Sequence, residues 1–302
     1  MYDIEAVYEA SSVSHAVALL QSHPGARVIA GGSDVLIKAR EGRLAGATLV
    51  SIHGVDELRG VRVAEDGALR IGALTSFSHV EADPLIRRHI AVLGEAAGTV
   101  GGPQIRNIGT IGGNVCNGVT SADTASTLVA YEAVMEYAGP RGTRLVPIAE
   151  HYVAAGKTAL APDEILTAII IPKESYAETA GQYIKYAMRE ALDIATIGCS
   201  ANVRLSAGTG EGPIIERLRL AYGVAGPVPM RAFGAEAAAN GKAADAETVE
   251  QAARAVLDDI KPRTSWRASA AFRSHVAVEL ARRAITEAIA RAERTAGAGG
   301  VL

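Results

Sequence analysis

The chain has 302 residues, 49% of them hydrophobic and 21% charged, enough to bury two or three modest cores. Its formal net charge of −3 comes from interspersed acids and bases, so no basic face for nucleic acid or an anionic membrane surface is advertised. No apolar run approaches the ~20 residues that span a bilayer, and the opening Met1-Tyr2-Asp3-Ile4-Glu5 lacks the features of a signal peptide, so no membrane association and a cytoplasmic address are expected.

In chain order, Ser12 to Ser22 predicts a helix capped by Ser11 or Ser12, with Val13, Ala16, Val17 and Leu20 on one apolar face. His23-Pro24-Gly25 stops it. A strand at Arg27-Val28-Ile29-Ala30 runs into Gly31-Gly32-Ser33-Asp34, and another is predicted from Thr48 to Ile52. Leu69 to Ala73 reads as a strand, and Ser78 to Ala97 as mostly helical with a break near Asp83-Pro84. The Gly-rich segment Gly101 to Gly118 follows. Leu128 to Tyr131, Val134 to Tyr137 and Ile165 to Ile171 read as strands, and Pro172-Lys173 marks a domain boundary. Beyond it, Gln182 to Met188, Ala195 to Leu205 and Leu218 to Val224 predict antiparallel strands, with Gly208 to Pro213 as the turn between the last two. The tail reads as helical over Ala246 to Ile260 and Ser269 to Arg294, the second with Phe272, Val276, Leu280, Ala284 and Ile285 along one face, before residues 296–302 fray.

Cys116 and Cys199 are the only cysteines, and an iron–sulfur cluster needs about four thiolates, so this chain by itself lacks the ligands for one. Both read as small buried hydrophobes. No zinc or other metal site is expected, because no His residue pairs with Cys or with another His at ligand spacing.

Two glycine-rich turns stand out. A dinucleotide diphosphate carries about two negative charges, and backbone N–H groups at a turn can cradle it, with glycine permitting both close approach and positive φ. Ala30-Gly31-Gly32-Ser33-Asp34 follows a strand directly; Thr110-Ile111-Gly112-Gly113-Asn114 repeats the pattern with a hydroxyl before and an amide after the glycine pair. Each alone is compatible with plain turn chemistry; together they can clasp one cofactor from two sides. No Gly-x-Gly-x-x-Gly lies between a strand and a helix, and no Gly-Lys-Ser/Thr phosphate loop is present, so a tightly held nicotinamide dinucleotide is not expected.

The pairing of Val28-Ile29-Ala30-Gly31-Gly32-Ser33-Asp34-Val35-Leu36 with Gln104-Ile105-Arg106-Asn107-Ile108-Gly109-Thr110-Ile111-Gly112-Gly113-Asn114 closely resembles the FAD-binding signature of molybdenum hydroxylase flavoproteins, whose flavin domain is of the vanillyl-alcohol-oxidase (PCMH) type. Asp163-Glu164-Ile165-Leu166, Lys185-Tyr186-Ala187-Met188-Arg189 and Trp266-Arg267-Ala268-Ser269 look like further family segments, so the resemblance covers nearly the whole chain. It implies an α+β fold. A two-subdomain FAD-binding domain would span 1–175, with subdomains of about 1–55 and 56–175, and a C-terminal domain with a small antiparallel sheet and helices, like that of carbon monoxide dehydrogenase flavoproteins, would span 176–295.

Carried onto this sequence, the resemblance places Arg27, Val28, Ile29, Ala30, Gly31, Gly32, Ser33, Asp34 and Val35 on the diphosphate side. From the second segment come Val100, Gly101, Ile105, Gly109, Thr110, Gly113, Asn114, Cys116 and Asn117. Asp123 matches an acidic position near the sugar-phosphate chain, Ile165 and Leu166 an apolar contact, and Lys185 a basic contact at the domain boundary. Where eukaryotic relatives place a Phe beside the flavin ring, this chain has Val100, which departs from the pattern. Bland readings stand beside these: Lys185 as a solvated strand lysine, Asp123 as a helix N-cap, and Trp266 as a packing residue in preference to a contact for another subunit. No catalytic acid or base is assigned.

The resemblance also implies partners: a small subunit with two [2Fe–2S] clusters and a large molybdopterin subunit that hydroxylates the organic substrate, assembled as a dimer of heterotrimers. Electrons would pass through FAD to NAD⁺ as a transient acceptor. Lys185 to Cys199 and Pro262 to Ser269 look most like bacterial xanthine dehydrogenase flavin subunits, with carbon monoxide, aldehyde or aromatic acyl-CoA oxidoreductases as alternatives. A stand-alone FAD oxidase of the same superfold is a further alternative, disfavoured because no His or Cys stands at a convincing covalent-attachment position.

Overall fold

Parallel strands require crossovers, and the first fifty residues supply them. Here β1 (Ile4–Glu9), α1 (Val13–Ser22), β2 (Arg27–Ile29), α2 (Val35–Arg40) and β3 (Ala47–Ser51) build a parallel sheet of order β1-β3-β2. The sheet belongs to a computed structural model that describes residues 2–208 and 212–298. Ser12 caps α1, its hydroxyl accepting from His15 N at 3.0 Å, an arrangement that stabilises a helix by about 1 kcal/mol. Ala16, Val17 and Leu20 then bury against Val50, Ile52, Leu74 and Ile165. Sequence patterning misses β1, because none of its residues is fully buried, and it misses α2, which is one and a half turns long.

The next unit contains β4 (Val61–Val63), β5 (Leu69–Gly72) and five consecutive short helices: α3 (Phe77–Ala82), α4 (Pro84–His89), α5 (Ala91–Gly98), α6 (Pro103–Ile108) and α7 (Ile111–Cys116). After α8 (Asp123–Ala130) come β6 (Val134–Gly139), β7 (Gly142–Pro147), α9 (Ile148–His151), β8 (Tyr152–Ala154), β9 (Lys157–Thr158) and β10 (Ile165–Ile171). The five-stranded antiparallel sheet β4-β5-β10-β6-β7 packs Leu69, Ile71, Met135, Tyr137 and Ile169 against Leu93, Ile111 and Leu128. The break expected near Asp83-Pro84 separates α3 from α4, where the Asp83 carboxylate accepts from Leu85 N at 2.9 Å.

Two expectations change in this unit. Leu128 to Tyr131 is not a strand; it is the end of α8 and its C-cap. All eight residues of α8 are buried, so the segment has no polar face from which a 3.6-residue period can be read, and a short apolar run then looks the same in either state. Asp123 is also not an N-cap: Ala122 holds that position and Asp123 opens the helix.

The last unit holds α10 (Lys173–Tyr176), the antiparallel sheet β11 (Thr179–Tyr186), β12 (Ile197–Ser206), β13 (Ile214–Gly223) and β14 (Met230–Arg231), and α11 (Phe233–Ala239), α12 (Ala246–Asp259) and α13 (Ala270–Ala298). The helices cover one sheet face, with Val249, Val256, Leu280 and Ile285 against Cys199, Val203, Leu218 and Tyr222. α13 continues through 296–298, where fraying was expected; residues 299–302, and residues 209–211 of the predicted Gly208–Pro213 turn, lie outside the described residues. Trp266 does not pack inside: it is 82% exposed, with the Arg267 guanidinium 4.0 Å from its ring centroid. The mixed α+β class expected from the sequence is the class observed. Among the described residues, no helix is long and apolar enough to cross a membrane.

Candidate cofactor cleft

Between the parallel sheet and the five-stranded sheet lies a cleft of about 560 Å³. Sixteen of the expected site residues line it: Arg27, Val28, Ala30, Gly31, Gly32, Ser33, Asp34 and Val35 from the first turn, Val100, Thr110, Gly113, Asn114, Cys116 and Asn117 from the second segment, and Ile165 and Leu166 from β10. Residues separated by more than a hundred positions in sequence thus share one concave surface.

The first turn is held open by its glycines. Gly32 has φ +76°, a conformation that favours glycine. A Cβ on Gly31 would sit 1.9 Å from the Ile108 carbonyl oxygen, so the turn abuts the end of α6 directly. Among the described residues, no backbone acceptor takes the amide N–H groups of Gly31, Gly32, Ser33, Asp34 or Val35. Polar hydrogens without protein partners are normally satisfied by solvent or ligand, and five in succession at a cleft wall are of the chemistry that can cradle an anion.

The second turn does something different from what its sequence suggests. Ile111 N donates to Thr75 O at 3.0 Å, Gly112 N to Ala73 O at 2.9 Å, Gly113 N to Thr110 Oγ1 at 3.1 Å and Asn114 N to Thr110 O at 3.0 Å. Its amides are therefore spent on the protein itself, and the expectation of two equivalent amide nests is corrected. The glycines here serve packing: a Cβ on Gly112 would lie 2.5 Å from Ala73 O. What α7 presents to the cleft is the flank of Gly113, the Asn114 and Asn117 amides and the Cys116 thiol. Asn114 Oδ1 accepts from Thr124 Oγ1 at 2.7 Å, which orients its amide. Burial pushes the Cys116 thiol up to about 12, so it is a neutral apolar contact at physiological pH.

Sequence reasoning missed several wall residues. Phe77 lines the cleft and is packed against Gly109; where Val100 leaves no aromatic, Phe77 supplies one nearby. Leu160, Ala161 and Pro162 form a loop wall fixed by Glu164, which accepts from Arg144 through both carboxylate oxygens at 2.7 Å and from Ala161 N at 2.8 Å. Arg144 holds the Glu164 carboxyl below its ordinary value. Lys38, in the first turn of α2 and six residues beyond Gly32, donates to Asn117 Oδ1 at 2.7 Å.

Six expected residues do not line the cleft. Ile29 lies in β2 beside it; Gly101, Ile105 and Gly109 support it from α6 and its flanks. Asp123 and Lys185 form a buried ion pair of 2.9 Å behind the Val100 end, where Lys185 Nζ also donates to Thr99 O at 3.0 Å and Tyr183 OH to Asp123 at 2.9 Å. Burial raises the Asp123 carboxyl, opposed by the Lys185 ammonium. The pair joins β11 to the chain just before Val100 and is not a solvated surface lysine.

Residues 2–174 match the family model described as the FAD binding domain in molybdopterin dehydrogenase, and residues 182–288 match the CO dehydrogenase flavoprotein C-terminal domain. The chain is 42% identical to a xanthine dehydrogenase FAD-binding subunit of Escherichia coli O157:H7, over 97% of this chain and 98% of that one. It is 31% identical to the carbon monoxide dehydrogenase medium chain of Hydrogenophaga pseudoflava, over 93% and 95%. A solved structure of carbon monoxide dehydrogenase from Hydrogenophaga pseudoflava superimposes with a TM-score of 0.90, covering 96% of this chain and 99% of that one at 31% identity.

Proposed function

Since the chain belongs to the FAD-binding medium subunits of the molybdenum hydroxylase family, we propose that it serves as the electron-relay subunit of a xanthine dehydrogenase-type holoenzyme, with FAD in the cleft between its first two sheets. The observation that carries the cofactor placement is the row of five unpartnered amides, Gly31 to Val35, on the cleft wall. The residues present fit the group. The amides suit a diphosphate, while Phe77, Val100, Ile165 and Leu166 offer apolar surface for flat rings. When bound, FAD supplies one- and two-electron redox chemistry.

This chain's own residues then bind and orient. Glu164 and Arg144 fix the Leu160–Pro162 wall, Thr124 aims the Asn114 amide, and the Asp123–Lys185 pair holds the backbone beside Val100. No side chain is assigned a proton-transfer role. In this reading a partner with [2Fe–2S] clusters would supply the electrons, a molybdopterin partner would oxidise the organic substrate, and NAD⁺ would be the final two-electron acceptor. Higher identity to the xanthine dehydrogenase subunit favours a purine substrate; similarity to the carbon monoxide dehydrogenase chain supports the second reading, a carbon monoxide-oxidising holoenzyme.

The test is the full chain produced alone and reconstituted with FAD. It is expected to oxidise NADH with an artificial acceptor such as ferricyanide, at a rate reduced by the missing partners, and to leave xanthine, aldehydes and carbon monoxide untouched. Oxidation of a purine or aldehyde by this chain without molybdenum would overturn the relay assignment in favour of a stand-alone flavin oxidase. Isolation from the native host with no iron–sulfur or molybdenum subunit attached would count equally against it.

A further inference from the structure

The cleft contains one feature that the glycine motif does not explain. Lys38 lies on α2, four residues beyond Asp34, so its side chain slants back toward the unpartnered amides of the first turn. It is half-buried, and among the described residues it forms no ion pair. Its ammonium donates to Asn117 Oδ1, across the cleft on the C-cap of α7. The other charged groups on the wall differ: Glu164 is neutralised by Arg144, and Arg27 and Asp34 are exposed. An ammonium kept partly out of water with only an amide oxygen for company gains from a dianion brought within reach.

We propose that Lys38 is the cationic contact for the FAD diphosphate and that Asn117 holds its ammonium in place until the phosphate arrives. This rests on the cleft being the FAD site. Lys38 is thereby a binding residue, and Asn117 a positioning residue that bridges the two walls the cofactor must enter between. The five amides supply partial charges; Lys38 adds a full positive charge held partly out of water, unlike the exposed Arg27, and so contributes to a dependence of affinity on ionic strength.

Flavin-free full chain is titrated with FAD and, separately, with riboflavin, which has no phosphate, and followed by flavin fluorescence. The wild-type chain is compared with Lys38→Met, Lys38→Arg and Asn117→Ala, each checked for an unchanged melting temperature. Lys38→Met is expected to weaken FAD by about ten-fold or more, leave riboflavin within about two-fold, and flatten the salt dependence of FAD binding. Lys38→Arg is expected to restore most of the affinity. Asn117→Ala, which keeps the ammonium, is expected to cost FAD binding only about three-fold. Equal losses for FAD and riboflavin in Lys38→Met, or an Asn117→Ala loss as large as that of Lys38→Met, would reduce Lys38 to a structural latch and overturn the proposal. Undiminished FAD affinity in Lys38→Met would do the same. A wild-type chain that binds riboflavin and FAD not at all would instead break the reading of the cleft itself.

Discussion

The two glycine turns have nearly the same sequence and opposite uses. At Gly31-Gly32, with positive φ at Gly32, five successive amides belong to residues lining a cleft and, among the described residues, have no protein acceptor. At Gly112-Gly113, every amide from Ile111 to Asn114 is bonded to the chain, and Gly112 lets α7 settle against the backbone at Ala73. A glycine pair after a hydroxyl or a strand therefore signals close backbone approach. Whether a ligand or another segment does the approaching depends on where the amide bonds go.

Substitutions should separate the two uses. Gly32→Asp is expected to have the largest effect. Its carboxylate would meet the diphosphate at close range, and two unit charges at ~4 Å in a partly buried setting repel by about 4 kcal/mol, so FAD affinity should fall on the order of 100-fold or more. The fold should survive, because Asp tolerates positive φ better than most residues and the new Cβ would meet only side-chain atoms, of Leu36 at 3.2 Å and Ile29 at 3.4 Å. Flavin fluorescence and a melting curve on the same sample measure both; a folded variant that retains flavin would remove this turn from the site.

Gly112→Ala should invert that pattern. The added methyl would lie 2.5 Å from Ala73 O, 2.6 Å from Ala73 Cβ and 2.9 Å from Ala73 Cα, so backbone and not a flexible side chain would have to shift. Overpacking of this kind costs about 1–3 kcal/mol, visible as a lower urea midpoint before any flavin is added. An unchanged midpoint, with FAD affinity lost instead, would make the second turn a ligand cradle after all.

How much of this was legible depends on whether the information was local. The first turn and its strand are contiguous, and so are the helix breaks at Asp83-Pro84 and the caps, so they read directly from residue types. The fate of the second turn's amides is not local: their acceptors include Thr75 and Ala73, which only the tertiary fold brings near. Lys38 and Asn117 are 79 positions apart, and Arg144 within β7 and Glu164 just before β10 are 20 apart on strands separated by β6, so neither pair carries a spacing signal. One clue was available for Lys38: a lysine one turn into the helix that follows a phosphate-type glycine turn lies on the side facing that turn. α8 failed for a different reason, since burial on all sides erases the period by which helices are recognised.

The wall opposite the first turn gives a pH-dependent contrast of moderate size. Arg144 lowers the Glu164 carboxyl below its usual 4.5, so this interaction stabilises the folded chain above that pH and is lost as pH falls through the lowered value. Glu164→Gln should therefore be less stable at neutral pH, by on the order of 1 kcal/mol given that Arg144 is partly exposed, yet lose less on acidification. Urea midpoints at pH 7 and near pH 4 for both proteins test it. A variant that tracks the wild-type acid response would show that the clamp contributes nothing through its charge.

The smallest effect is expected at the two cysteines, which compare a cleft wall with a sealed core. Cys116 lines the cleft and Cys199 is buried in β12 beneath the C-terminal helices, yet burial raises both thiols to about 12, so neither is a thiolate at neutral pH. Replacing both with Ala removes buried sulfur and should cost about 1 kcal/mol at each position, more at Cys199 because its surroundings are closed and a void there stays empty. FAD affinity should change by no more than about two-fold, since Cys116 presents the cleft with an uncharged surface. The iron content of an assembled holoenzyme, measured by colorimetric assay per flavin, should be unchanged. Iron lost from an intact assembly in the double variant would mean that a thiol of this chain ligates a cluster, and the division of labour that places clusters on a separate partner would fall.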